Sequence, residues 1–158
     1  MDNLSSRFTA INDEYGTCER TEATLAIYNI DPDVVTKKLN IICTSSQKIG
    51  IPKIMHGGVE RIGTKNTWLY SSEGSDVKSK DLRIHINWLL DKIEPRRLQL
   101  KQLQQFLGVK MTIRCVWWSK YGDGGPTLWP EQMKRMAKLN LEWTLSFVFH
   151  DQGIDLID

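Results

Sequence analysis

Few residues in this chain belong to the types that carry recognisable chemistry. Only three cysteines, Cys18, Cys43 and Cys115, occur in 158 residues. No two have CxxC spacing. An odd count without that spacing argues against a disulfide framework and against a cysteine zinc site. Histidine is as scarce, with three copies. None of His56, His85 and His150 has a second His or Cys at i+2 or i+4, so neither a metal nor another cofactor is expected. No apolar run is long enough for a membrane span or a signal peptide, and a cytoplasmic protein is expected. Charge of one sign is not in excess either. Lys and Arg number 21 against 19 Asp and Glu, a net +2, which calls for neither a polyanionic partner nor a membrane surface.

What is present is a folded chain. The hydrophobic fraction is 41%, with six Trp, enough for one domain over 1–158 that needs no covalent staples. Residues 1–18 are weakly patterned and read as a loose arm, with a short strand near Phe8 to Ile11. A strand over 19–29 runs into Asp31-Pro32, a helix N-cap followed by the position where proline costs nothing. The helix then runs to Leu39, with Val34, Val35 and Leu39 on its buried side. Residues 42–66 form a long connection holding Gly50, Gly57, Gly58 and Gly63. In it, Lys48, Lys53, Arg61 and Lys65 oppose only Glu60, and connections of this length are often functional.

Thr67–Ser71 reads as a strand, and 80–93 as a helix with Leu82, Ile86, Leu89, Leu90 and Ile93 at helical spacing. After Pro95 a second helix is expected over 96–107, stopped by Gly108. Two strands show strict alternation. Val109, Met111, Ile113, Cys115 and Trp117 share one face, and Lys110, Thr112, Arg114, Val116 and Trp118 the other. Leu141, Trp143, Leu145, Phe147 and Phe149 alternate in the same way with Glu142, Thr144, Ser146, Val148 and His150. Such period-two patterning places one face in a core. Between these strands lies a helix opening at Trp129-Pro130. The order β-α-β, helical pair, β-α-β predicts an α+β two-layer sandwich. Its sheet is mostly antiparallel with helices on one face, ferredoxin-like from duplicated β-α-β units.

No motif names a reaction. Gly58 to Lys65 has the glycine spacing of a phosphate loop, but Thr64 and Lys65 are in swapped order and a strand follows instead of a helix. Gly122-Asp123-Gly124-Gly125 is a turn without the carboxylates of a calcium loop. A Cys43–His56 hydrolase has no local signature. Leu145 to Phe149 faintly matches an RNP1 tract, without its glycine and with its Phe residues inward. No catalytic residue is assigned. The candidate binding residues fall in three places. Tyr121, Asp123 and Trp129 surround the glycine turn, with Trp129 equally readable as a hydrophobic staple on the helix it precedes. Trp118 and Arg114 lie on the open sheet face. Lys48, Lys53, Arg61 and Lys65 lie in the basic connection.

Several short segments, in order, resemble a bacterial family known only as a domain of unknown function, DUF4279. They are Ala26-Ile27 with Asp31-Pro32 and Thr36-Lys37-Lys38-Leu39; Thr67-Trp68-Leu69-Tyr70-Ser71-Ser72; Leu89-Leu90, Ile93 and Pro95; and Gly124-Gly125-Pro126-Thr127-Leu128 with Pro130-Glu131. The segment Gln47-Lys48-Ile49-Gly50 departs from the shorter Gly-Asp stretch of that family. The resemblance implies a small bacterial protein associated with polymorphic-toxin neighbourhoods. Its implied role is non-enzymatic: an immunity protein that binds and blocks a cognate toxin C-terminal domain, as in contact-dependent growth inhibition. The alternative is an RNA- or nucleotide-binding module using the open face and the basic connection. The expected partner is therefore a protein, neither a membrane nor, in the first reading, a nucleic acid. The residues do not state an oligomeric state.

Overall fold

The computed structural model describes residues 7–151. Its centre is a five-stranded sheet in the order β2-β5-β1-β6-β7. The strands are β1 (Cys18–Tyr28), β2 (Ser45–Gln47), β5 (Thr67–Ser71), β6 (Lys110–Ser119) and β7 (Glu142–Val148). All neighbours are antiparallel except β6 and β7, which are parallel. The α+β class and the mostly antiparallel sheet thus agree with the alternation read from the sequence. The two β-α-β units, however, are unequal. β5 is antiparallel to β1 and lies beside it. The strand parallel to β1 is the short edge strand β2, with β5 inserted between them. In the second unit β6 and β7 are direct neighbours. The difference follows from chain length: residues 45–66 intervene before β5, so the chain returns to the sheet in the opposite direction.

Four helices supply the other layer. In α1 (Pro32–Leu39), Asp31 caps by accepting from Asp33 N–H at 2.8 Å, and Asn40 closes the helix at φ 51°. Val35 and Leu39 are buried, but Val34 faces solvent. α2 (Leu82–Ile93) begins at the cap Asp81. A 3-10 turn over Glu94–Arg96 accommodates Pro95 before α3 (Arg97–Gln104). α3 ends earlier than its sequence predicts, leaving Phe106 and Leu107 exposed ahead of Gly108 at φ 81°. In α4 (Pro130–Lys138), the Gln132 side chain accepts from Trp129 N–H at 2.8 Å. One core joins the layers. Leu25, Ile27, Trp68 and Ile113 of the sheet meet Ile86, Leu89, Leu90, Leu100 and Leu103 of the helices. Each fully buried Leu or Ile contributes roughly 1.5–3 kcal/mol.

Residues 42–66 are not an irregular loop. After β2 they form a separate hairpin, β3 (Pro52–Ile54) with β4 (Glu60–Ile62), paired Pro52 to Ile62 and Ile54 to Glu60. The base of the hairpin is clamped by Gly50 N–H to Gly63 C=O at 2.8 Å and Gly63 N–H to Ile51 C=O at 3.1 Å. A Cβ on Gly63 would lie 2.2 Å from the Lys48 carbonyl oxygen. Gly63→Ala is therefore expected to spring the hairpin base and speed amide exchange over 50–62, with little change in exchange over 110–119. Residues 7–17, expected as a loose arm, are docked. Lys80 N–H donates to Asp13 C=O and Asn12 N–H to the Asp81 carboxylate. No strand forms between Phe8 and Ile11, and Phe8 is exposed. The part of that arm before residue 7 lies outside the described residues.

Candidate functional site

Alternation leaves one row of β1 and β6 pointing away from the helices. Register places Arg20 opposite Trp118, Glu22 opposite Val116, Thr24 opposite Arg114 and Tyr28 opposite Lys110. β7 adds Thr144 beside Arg114 and Ser146 beside Val116. Arg20, Arg114, Glu142, Thr144 and Ser146 are exposed, and Trp118 and Tyr28 are half-buried. These side chains are arranged in pairs. The Arg20 guanidinium lies 3.8 Å from the Trp118 ring centroid. Arg114 donates to the Tyr28 hydroxyl at 2.9 Å, and the Lys65 ammonium sits 4.8 Å from the same ring. Tyr28 thus joins two places that the sequence left separate, the sheet face and the basic connection. Cation–π contacts of this kind are worth about 0.5–2 kcal/mol and hold long side chains in defined positions.

Two carboxylates complete the face. Burial raises the Glu22 carboxyl above its ordinary range, and the Glu73 charge and a hydrogen bond shared with Glu73 add to that. Arg20 and Arg114 pull in the other direction, and Arg20 Nη1 is 3.7 Å from Glu73 Oε1. The sign follows directly. Because the folded state holds this proton more tightly, the stability gained from it is full below the ordinary carboxylate range. That stability is lost as pH rises through the raised value. At neutral pH the pair repels, so Glu22→Gln is expected to stabilise the protein there by about 0.2–1 kcal/mol, the scale of cross-strand charge pairs. Melting curves against pH would show the gain near neutrality and its disappearance in acid.

The other candidates are placed differently. Lys48 is committed to Asp33 at 2.5 Å and Asp31 at 3.6 Å. Lys53 donates to Ser45 Oγ at 2.9 Å and Ser46 C=O at 3.2 Å, tying the hairpin to the sheet edge. Arg61 is exposed on β4. The turn after β6 carries Tyr121, 71% exposed, and Asp123, whose carbonyl accepts from Ser119 Oγ. Gly124 in that turn adopts φ 82°, and a Cβ there would meet Thr17 Oγ1 at 2.3 Å. Trp129 does not join Tyr121 at a free rim. Its Nε1 donates to Thr9 C=O at 3.2 Å, and the Arg83 guanidinium covers its ring at 4.6 Å. It is a structural clasp on the N-terminal segment.

Two polar networks escaped the sequence reading. Arg83 and Asp81 form an ion pair at 2.6 Å with 0% and 1% side-chain exposure. Arg83 also donates to the Thr9 and Ala10 carbonyls at 2.7 and 2.8 Å. Next to it, His85 Nε2 donates to Ser79 C=O at 2.7 Å, which leaves Nδ1 to accept from Ser72 Oγ at 2.7 Å. Ser72 Oγ in turn accepts from Ala23 N–H at 3.0 Å. A Ser–His contact can activate a nucleophile, but here both residues are buried and the pair braces β1 against α2. Burial lowers the His85 pKa, keeping the ring neutral. Cys115 is buried, accepts from Trp143 Nε1, and has its thiol pushed up to about 12. Cys43 packs on the core, and His56 is exposed in the hairpin turn. On β7, Phe147 does turn inward and stacks on Trp117 at 5.8 Å, but Phe147 and Phe149 lie at the rim and stay partly exposed.

Among the described residues no group of three or more His, Cys, Asp or Glu is placed to hold a metal ion. No described helix is long and apolar enough to cross a membrane. The family described as a domain of unknown function (DUF4279) matches residues 18–150, and the chain belongs to it. No curated protein and no solved structure matches the chain.

Proposed function

We propose that this DUF4279 member is a non-enzymatic bacterial immunity protein that neutralises a cognate toxin domain by binding it through the open sheet face. The observation that carries the reading is the paired arrangement of Arg20 on Trp118 and of Arg114 and Lys65 on Tyr28. Aromatic and arginine side chains held in fixed positions are the residue types that dominate protein interfaces. Mixed charge on the same face, with Glu22 and Glu73 beside Arg20 and Arg114, gives register and selectivity rather than bulk attraction. The implied association of the family with polymorphic-toxin neighbourhoods supplies the kind of partner.

The reading predicts protection in cells. Co-expression with the C-terminal domain of a neighbouring large secreted protein should restore growth that the domain alone arrests. Continued arrest, with both proteins soluble, would end the proposal. The alternative, RNA or nucleotide binding, would need bases to stack on the same aromatics. Arg20 already covers one side of Trp118 at 3.8 Å, which favours the protein reading.

A further inference from the structure

We propose that the helix layer carries a second docking surface, for an acidic polypeptide, centred on α3 and the two grooves that flank it. This surface lies on the opposite side of the sheet from the face described above and does not depend on that reading. The argument begins with charge. Every carboxylate carried by the four helices, their caps and the 3-10 turn is already in an ion pair. Asp31 and Asp33 are held by Lys48, Asp81 by Arg83, Asp91 and Glu94 by Arg135, and Glu131 by Arg7. α3 itself carries no carboxylate. Lys37 and Lys38 of α1, Arg97 and Lys101 of α3 and Lys138 of α4 are all exposed. Among the described residues none of the five has a carboxylate at ion-pair distance.

Helix stability accounts for only part of this set. Lys37, Lys38, Lys101 and Lys138 lie in the last turns of their helices, where a cation complements the helix dipole. Arg97 lies at the first position of α3, where the dipole disfavours it. The cations also converge. Arg97, Lys101 and Lys138 line one groove of about 470 Å³ between α3 and α4, together with Leu98. Lys37 and Lys38 line a second groove of about 580 Å³ between α1 and α3, with Gln99 and Gln102.

Apolar side chains distinguish a polypeptide from a phosphate chain as the occupant. Leu98 is 63% exposed within the first groove, and Phe106 and Leu107 are exposed at 52% and 102% beyond the end of α3. Leu98 beside Arg97, Lys101 and Lys138 sets an apolar contact next to charges that an acidic partner would complement. A phosphodiester backbone makes no use of that apolar contact; it takes cations and hydrogen-bond donors.

The test uses the full chain and three labelled probes of equal charge: a glutamate–leucine copolymer, poly-L-glutamate and a single-stranded oligonucleotide. Fluorescence anisotropy should rank the copolymer tightest, with binding weakened by added salt. The double variant Lys101→Glu, Lys138→Glu should weaken it by roughly tenfold or more. Lys78→Glu with Lys120→Glu makes the same change in net charge away from the helix layer and should leave it unchanged. Leu98→Ser should weaken the copolymer while sparing poly-L-glutamate. Thermal melts identify any variant that fails to fold, and Lys101→Gln with Lys138→Gln then gives the same loss in smaller measure. Tighter binding of the oligonucleotide, equal loss in the two charge-reversed proteins, or no copolymer binding at all would overturn the proposal.

Discussion

Asp81→Ala is expected to destabilise the protein by about 3–5 kcal/mol, the cost of leaving a buried charge without its partner. A domain of this kind has about 5–15 kcal/mol in total, so the variant should melt far below the wild type or fail to fold. The reason is how much one carboxylate does. Asp81 caps α2 through Arg83 N–H at 3.1 Å and accepts from Asn12 N–H at 2.9 Å. It also takes Nε and Nη2 of Arg83 at 2.8 and 2.6 Å. Without it the Arg83 guanidinium, 0% exposed, keeps only the Thr9 and Ala10 carbonyls as hydrogen-bond acceptors and the Trp129 ring beside it. The N-terminal segment and Trp129 are fastened through that guanidinium, so proteolysis near residues 9–15 should accelerate before global unfolding.

Acid makes the same point. Burial alone would raise the Asp81 carboxyl, but the Arg83 hydrogen bonds and the two backbone N–H donors more than offset it and hold it below its ordinary value. A depressed carboxylate contributes stability that is present above the unfolded pKa and is lost as pH falls through the folded one. Urea titrations below the ordinary carboxylate pKa should show this loss in the wild type and its absence in Asp81→Asn. Replacing both partners, Asp81→Asn with Arg83→Met, should recover part of the loss, since the two residues act as one unit.

Under the proposed immunity reading, Trp118→Ala is expected to lower affinity for a cognate toxin domain by about 2–4 kcal/mol, the cost of truncating an interface anchor. Arg114→Glu should act in the same direction. It breaks the Tyr28 contact and adds a third carboxylate near Glu22 and Glu73. Neither change removes core packing: Arg114 is exposed and Trp118 lies half-buried on the outer row. Stability should therefore fall by no more than the lost surface contacts, about 0.5–2 kcal/mol, while binding, followed by calorimetry, falls by orders of magnitude. A matched loss of stability would show instead that the face serves folding.

The parts of this fold that were legible in the sequence are those with long periods or strong local chemistry. Asp31-Pro32 fixed the start of α1 within a residue. Ten-residue alternation identified β6 and separated Ile113, Cys115 and Trp117 from Arg114 and Trp118. The hairpin was not legible, because β3 and β4 are three residues each, too short for alternation to show, and their glycines suggest an irregular loop. Topology was not legible either. Nothing local in Thr67–Ser71 says whether it runs with or against β1, and that choice is what makes the two β-α-β units unequal. Of the candidate face, Trp118 and Arg114 were visible by periodicity. Arg20, Tyr28, Glu22 and Glu73 were not, because the contacts that single them out join strands distant in sequence. Arg83 does carry a local signal: a charge within the apolar side of α2, two residues after its own N-cap carboxylate.

The most direct test of the central claim is size-exclusion co-elution of the tagged protein with the toxin C-terminal domain, run beside Arg114→Glu. The account predicts a stable complex with the wild-type protein that is lost or shifted to free components with the variant. A complex that survives Arg114→Glu and Trp118→Ala unchanged, or no complex at all, would contradict it.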